Sequence, residues 1–209
     1  MENDDTGVTH RADPDAPAVS ASSAPGRPVR LIGTETARHD WAGMRCGCGG
    51  SAAHLADDLT AVAAAGSGAE PDVGLEGHVW SPVTLWEPAP AVVSVALAAL
   101  ADDVTPVARE WFLRQLQYLV TGEGTDPSSA RRGTDLPERC RELAARGLWL
   151  LYAEVTANRS LGAVGSAFEI ITVLEPDRGR LERVREIAAD WLPVCCRTGL
   201  CDEGPVIRG

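Results

Sequence analysis

The sequence predicts an all-α fold, an array of antiparallel helical hairpins with about six or seven helices and residues 31–209 forming one domain. Three observations predict it. Apolar residues recur at three- and four-residue steps through most of the chain, and few stretches alternate as a half-buried strand would. Alanine, valine and leucine dominate the composition, which favours helix. One layout, helix–turn–helix, occurs twice. SVALAALADDVTPVAREWFLRQLQYLV starts at Ser94 and GLWLLYAEVTANRSLGAVGSAFEIITVL at Gly147, 53 residues later.

The elements follow in order. Residues 1–30 are rich in Asp, Pro, Ser and Ala and nearly lack large apolar side chains. Such a segment buries too little surface to offset its ordering entropy, so a disordered tail is expected there. Residues 31–50 lead into the fold and contain DWAGMRCGCGG, the most unusual local sequence in the chain. Its glycines allow tight backbone approach. Ser51 then caps a helix expected over residues 52–65, with Leu55, Leu59 and Val62 inward and Asp57 and Asp58 near its positive end. Residues 69–90 are broken by Pro82, Pro88 and Pro90. Ser81-Pro82 suits the start of a short helix that Pro88 ends, and an irregular segment over the end of the bundle fits nearly as well.

The stretch from Ala91 to Val120 organises the rest. Its first helix is apolar all round and should be central. Its second begins at Thr105-Pro106, a cap followed by a proline at the first helical position, and ends at Gly122 and Gly124. Trp111, Phe112, Leu116 and Leu119 form its buried stripe. Gln115 lies within that stripe, so its amide needs a partner.

Asp135-Leu-Pro137-Glu138 resembles a capping box for a helix carrying Leu136, Cys140, Leu143, Leu148, Leu151 and Val155. Trp149 and Tyr152 widen its apolar face. Leu161 to Leu174 gives the next helix. A last one starts near Gly179, with Trp191 and Leu192 inward and Arg178, Arg180, Arg183 and Arg185 mostly outward.

ADDVTPVAREWFLRQLQYL resembles a HEAT-type repeat, with Asp103 as the turn aspartate and Arg109 as the arginine early in the second helix. The resemblance covers about one repeat. It implies a stack of helical hairpins and says little about function, because such stacks serve scaffolds, inhibitors and some enzymes.

Charge narrows the function classes. The net charge is −11, and all 19 basic residues are arginine, which reads as the coding bias of a high-G+C bacterium. Residues 1–126 hold 18 acidic and 7 basic groups; residues 127–209 hold 12 of each. An acidic front half disfavours nucleic acid and suits a basic protein partner, although solubility alone also accounts for it. With no apolar leader and no apolar run long enough to span a membrane, a bacterial cytoplasm and reduced cysteines are expected.

Candidate chemistry centres on thiols. Cys46 and Cys48, with His54 nearby, lie at the front; Cys195, Cys196 and Cys201 lie at the end. Thiolates from both ends can meet at one zinc, but C-x-C and CC-x4-C are not the spacings of paired knuckles, so packed or free thiols are favoured and no cofactor is expected. A catalytic Cys–His pair, drawn from Cys46 or Cys48 with His54 or His78, lacks a motif for an orienting group. No nucleophile elbow is present, and without lysine there is no P-loop. Trp41, Trp80 and Trp86, with Asp57 and Asp58, form the candidate partner surface, set against a role in plugging the end of the stack. The expectation is a non-enzymatic protein-binding module, such as an immunity-type neutraliser of a basic toxin. The alternative is a small enzyme or accessory subunit of a biosynthetic pathway using Cys46, Cys48 and His54, with or without zinc.

Overall fold

Two helices that turn most of their surface inward set the architecture. The computed structural model describes residues 30–66, 68 and 71–200. The expected disordered tail, apart from Arg30, lies outside these residues, as does Cys201. The described chain is mostly helical, as expected. α3 (Ala89–Ala101) is buried along nearly its whole length and packs against α1 (Arg30–Thr36), α4 (Pro106–Thr121), α6 (Leu136–Ala145) and α7 (Leu148–Ala157). Its composition, APAVVSVALAALA, leaves no polar stripe for water, so burial all round is the only stable placement. α4 packs on α3, on α8 (Leu161–Leu174) and on α2 (His54–Ala64). Phe112, Leu113, Leu116 and Leu119 of α4 meet a core that includes Phe168, Ile170 and Leu151, all fully buried.

The polar ends of these helices are satisfied by short side chains. Thr105 accepts from the Ala108 N–H and Asp135 from that of Glu138, as the sequence predicts. Ser160 and Asp177 cap α8 and α9 (Arg178–Ala188) in the same way. Gln115 finds its partner in Trp80, whose indole N–H donates to Oε1 at 3.0 Å. Arg109 donates to the carbonyls of Leu100 and Asp102 and to Glu154 of α7, tying the α3–α4 turn to the next hairpin. Asp102, not Asp103, does the work at this turn. It accepts from the Leu31 and Ile32 N–H groups and so caps α1, while Asp103 is exposed.

Several elements differ from expectation. The first helix after the cysteine-bearing loop starts at His54, and Ser51 is not its cap: its hydroxyl accepts from Ala53 and donates to Ala42. No helix starts at Ser81. Trp80–Ser81 (β1) and Thr84–Leu85 (β2) form a two-stranded antiparallel hairpin, pairing Trp80 with Leu85 and Ser81 with Thr84. Gly122 ends α4 in extended, not left-handed, backbone. It and Gly124 are small because the β hairpin lies against them: a Cβ on Gly122 would meet the Leu85 side chain and one on Gly124 the Val83 carbonyl.

The helix expected over Leu136–Val155 is two helices, broken at Gly147. There a Cβ would collide with Leu97 of α3, so the chain bends where the two come closest. Trp191 lies in a 3-10 turn (Ala189–Trp191) and is 40% exposed, because α9 ends before it. Arg185 points inward: it donates from Nε to the Cys196 carbonyl, pairs with Glu182 and lies over the Phe168 ring. α5 (Pro127–Arg131) and α10 (Val194–Arg197) complete the described helices.

Candidate metal centre

The front of the molecule is built from loops, and the loop that carries the cysteines is a tight hairpin. Cys46 N–H donates to Gly50 O, Gly49 N–H returns to Cys46 O, and Arg45 bridges to Ser51. Gly49 has φ +92°, a conformation that favours glycine. The hairpin then presses on the segment before β1. Gly47 N–H donates to His78 O at 2.8 Å, and a Cβ at Gly47 would sit 2.5 Å from the Gly77 carbonyl. Only glycine allows that approach, and the approach brings the thiols to the imidazole.

Cys46 Sγ lies 3.3 Å from His78 Nδ1, and His54 Nε2 lies 3.1 Å from the same nitrogen. Sγ of Cys46, Sγ of Cys48 and a ring nitrogen of His78 all fall within 4.8 Å of one another. His54 belongs to this group because α2 starts with it, so its side chain turns back over the loop rather than along the core stripe. Burial pushes the Cys46 thiol up from its usual range. The Gly50 N–H above all, then the neighbouring Cys46 thiol, holds exposed Cys48 below its own. One thiol is shielded and the other is favoured as thiolate.

The other cysteines gather elsewhere. Ligating atoms of Glu169, Cys195 and Cys196 also lie within 4.8 Å of one another. The two sulfurs are 3.9 Å apart, Cys196 donates to Glu169 Oε1 at 3.7 Å, and Gln117 donates to Oε2 of the same carboxylate. Cys46 and Cys48 are therefore grouped with His78, and Cys195 and Cys196 with Glu169. The two clusters do not form one group among the described residues. Cys140 is fully buried on the α6 stripe, where desolvation pushes its thiol to about 12.

The tryptophans of the front end face inward or sideways. Trp41 is 5% exposed and donates to the Thr36 carbonyl. Trp80 is half-buried and stacks on Tyr118 with ring centroids 4.2 Å apart. Trp86 is half-buried and lines a cleft of about 260 Å³ with Arg45, Cys46, Asp126 and Arg131. Asp57 is exposed and Asp58 half-buried. These positions do not present three indoles to solvent. Large apolar residues more than 60% exposed occur both at the front, where Val83 tips the β1–β2 hairpin, and in the later half of the chain, at Trp149, Leu161, Ile187, Val194 and Leu200.

His78 is the residue that sequence reasoning did not place at a metal. It stands in a glycine–histidine–valine run that resembles any turn, and only the packing of Gly47 on its carbonyl brings it to Cys46. No family model, no curated protein and no solved structure matches this chain. Among the described residues, no helix is long and apolar enough to cross a membrane.

Proposed function

We propose that the chain is a non-enzymatic protein-binding module, a HEAT-like stack whose last layer offers the contact surface. The observation that carries this reading is the apolar surface left outside at that layer. Ile187, Trp191 and Val194 fall within eight residues, on α9, the 3-10 turn and α10, which pack on one another. Trp149 of α7, also exposed, lies under the Arg180 guanidinium at the start of α9, 5.6 Å from its ring centroid. Apolar residues scattered singly are ordinary, but bulky ones gathered on adjoining elements mark a contact site. Arg109 supports the stack, since it joins the turn of one hairpin to Glu154 of the next. The acidic excess of residues 1–126 suits a basic partner, and an immunity-type neutraliser of the bacterial cytoplasm is one such module.

The test is a photo-crosslinking residue placed at Trp149, Ile187 or Asp57 of the full chain in its own cells. A discrete protein adduct from positions 149 and 187, lost in an Ile187→Glu, Trp191→Ala variant, supports the reading. An adduct from position 57 alone moves the interface to the acidic front. No discrete adduct from any position rejects the module.

One observation favours the enzyme reading. The cleft beside Cys46 gathers Arg45, Asp126 and Arg131 within reach of a thiol. Burial raises the Asp126 carboxyl, but the Ser129 hydroxyl, the Ser129 and Ser128 N–H groups and Arg132 outweigh it and hold it below the usual carboxylate range. The charge is committed to capping α5. A rate for any acyl or amide substrate that Cys46→Ser abolishes while the fold persists would put this reading first.

A further inference from the structure

We propose that Cys46, Cys48, His54 and His78 bind one zinc ion as a closed, structural Cys2His2 site. The inference is independent of the partner-binding reading. It starts from a conflict of hydrogen bonding at His78. Nδ1 faces Cys46 Sγ at 3.3 Å and His54 Nε2 at 3.1 Å. A ring nitrogen has either one N–H or one lone pair, directed in the ring plane, so it serves one neighbour fully, and without a metal the Cys46 thiol turns to the His78 carbonyl at 3.4 Å. A metal ion replaces the missing proton and satisfies all of the donors together.

The spacing and the donor set both fit. In a tetrahedral site with Zn–S near 2.3 Å and Zn–N near 2.0–2.1 Å, neighbouring ligand atoms stand about 3.3–3.8 Å apart. The Cys46–His78 separation of 3.3 Å lies at the short edge of that range and the His54–His78 separation of 3.1 Å just below it, and Cys48 is within 4.8 Å of both Cys46 and His78. Two thiols and two imidazoles are a borderline-soft set, which zinc takes in preference to magnesium or calcium. His54 Nε2, 3.1 Å from His78 Nδ1, stands just outside the three-atom group and would turn toward the sulfurs as the fourth donor, closing the first shell.

The surroundings supply what such a site needs. The Gly47–His78 backbone bond fixes the loop on its partner segment, so the thiols and the imidazole are held together before any ion binds. The ion would join three segments that are otherwise held by backbone bonds: the Arg45–Ser51 hairpin, the start of α2 and the turn before β1. The second cluster lacks these features. Cys195 and Cys196 are adjacent on a four-residue helix, and Glu169 is already held by Gln117.

The experiment is metal analysis of the full chain, purified without tag or chelator under reducing conditions, beside Cys46→Ser, His54→Ala, His78→Ala and Cys195→Ser variants. The expected result is roughly one zinc per chain in the wild type and in Cys195→Ser, and loss of most of it in the other three. Because a variant can lose metal by failing to fold, cobalt is also loaded into the wild type. Intense tetrahedral d–d bands with a thiolate charge-transfer band support the site. Pale octahedral cobalt overturns it. Zinc that persists in Cys46→Ser and leaves in Cys195→Ser puts the metal at Glu169 and overturns the assignment. Full zinc affinity in His54→Ala overturns the closed shell. A wild type without metal that takes up no zinc on titration overturns the proposal outright.

Discussion

The front end and the helical body are held together by different physics. In the body, α3, α4, α7 and α8 bury aliphatic and aromatic side chains, and Phe112, Phe168, Leu116 and Ile170 are fully enclosed. Around Arg45–Ser51 and Leu75–Trp86 the chain has little regular structure: Leu75, Val79 and Leu85 anchor it in the core, and a small set of directional contacts fixes the rest, Gly47 to His78, Trp86 N–H to Val79 O, and the thiol–imidazole group. Burial is diffuse and survives small shifts. Directional contact fails when one atom is misplaced. The body should therefore unfold as a unit, while the front should open by itself.

The hardest blow to the body is a cavity. Phe112→Ala is expected to cost about 3–5 kcal/mol, measured by urea denaturation, with amide protection lost along both α4 and α8. Protection lost only near residue 112 would mean that the body is not one cooperative unit.

The next largest effect is one of pH. Burial, and then the hydrogen bond to Glu175, raise the Tyr152 hydroxyl from its ordinary 10 to about 12. The folded state keeps the proton that the unfolded state gives up. The stability is thus complete below pH 10 and is lost as pH rises through 12. A shift of this size corresponds to about 2–3 kcal/mol. The chain has no lysine, so that window is unusually free of other cations losing charge. The buried Cys140 thiol, raised from 9.0 to about 12, adds a loss of stability over the same window. The test is therefore made in a Cys140→Ala background, where Tyr152→Phe should flatten the loss between pH 10 and 12 in chemical denaturation; an unchanged slope there would assign it to another group.

The front is tested by Gly47→Ala. Its Cβ would press on the Gly77 carbonyl and the Trp86 ring, at an expected cost of about 1–3 kcal/mol. Hydrogen exchange should quicken over residues 42–54 and 75–81 and leave α8 unchanged. If α8 opens as well, the two regions are one cooperative unit and the contrast fails.

The smallest effect belongs to the outer layer. Trp149 is 71% exposed, so Trp149→Ala should change stability by roughly 0.5 kcal/mol or less. A larger loss would make it part of the core and remove it from the proposed contact surface.

What the sequence determined by itself is the body. The 3.6-residue period is written in the order of apolar residues, and caps such as Thr105 and Asp135 act within four residues of themselves. The partner needed by Gln115 was also implied there, though not its identity as Trp80. The division of the Leu136–Val155 run was not legible, because Gly147 breaks it only where Leu97 crosses. Nor was the direction of Arg185, whose acceptor lies on another helix. The candidate site was half legible. Cys46, Cys48 and His54 stand close in sequence, whereas His78 joins them only through the contact of Gly47 with its carbonyl. Periodicity reports which side of an element meets the core. Which distant atom a polar group meets depends on how the elements are placed, and that only the tertiary structure decided.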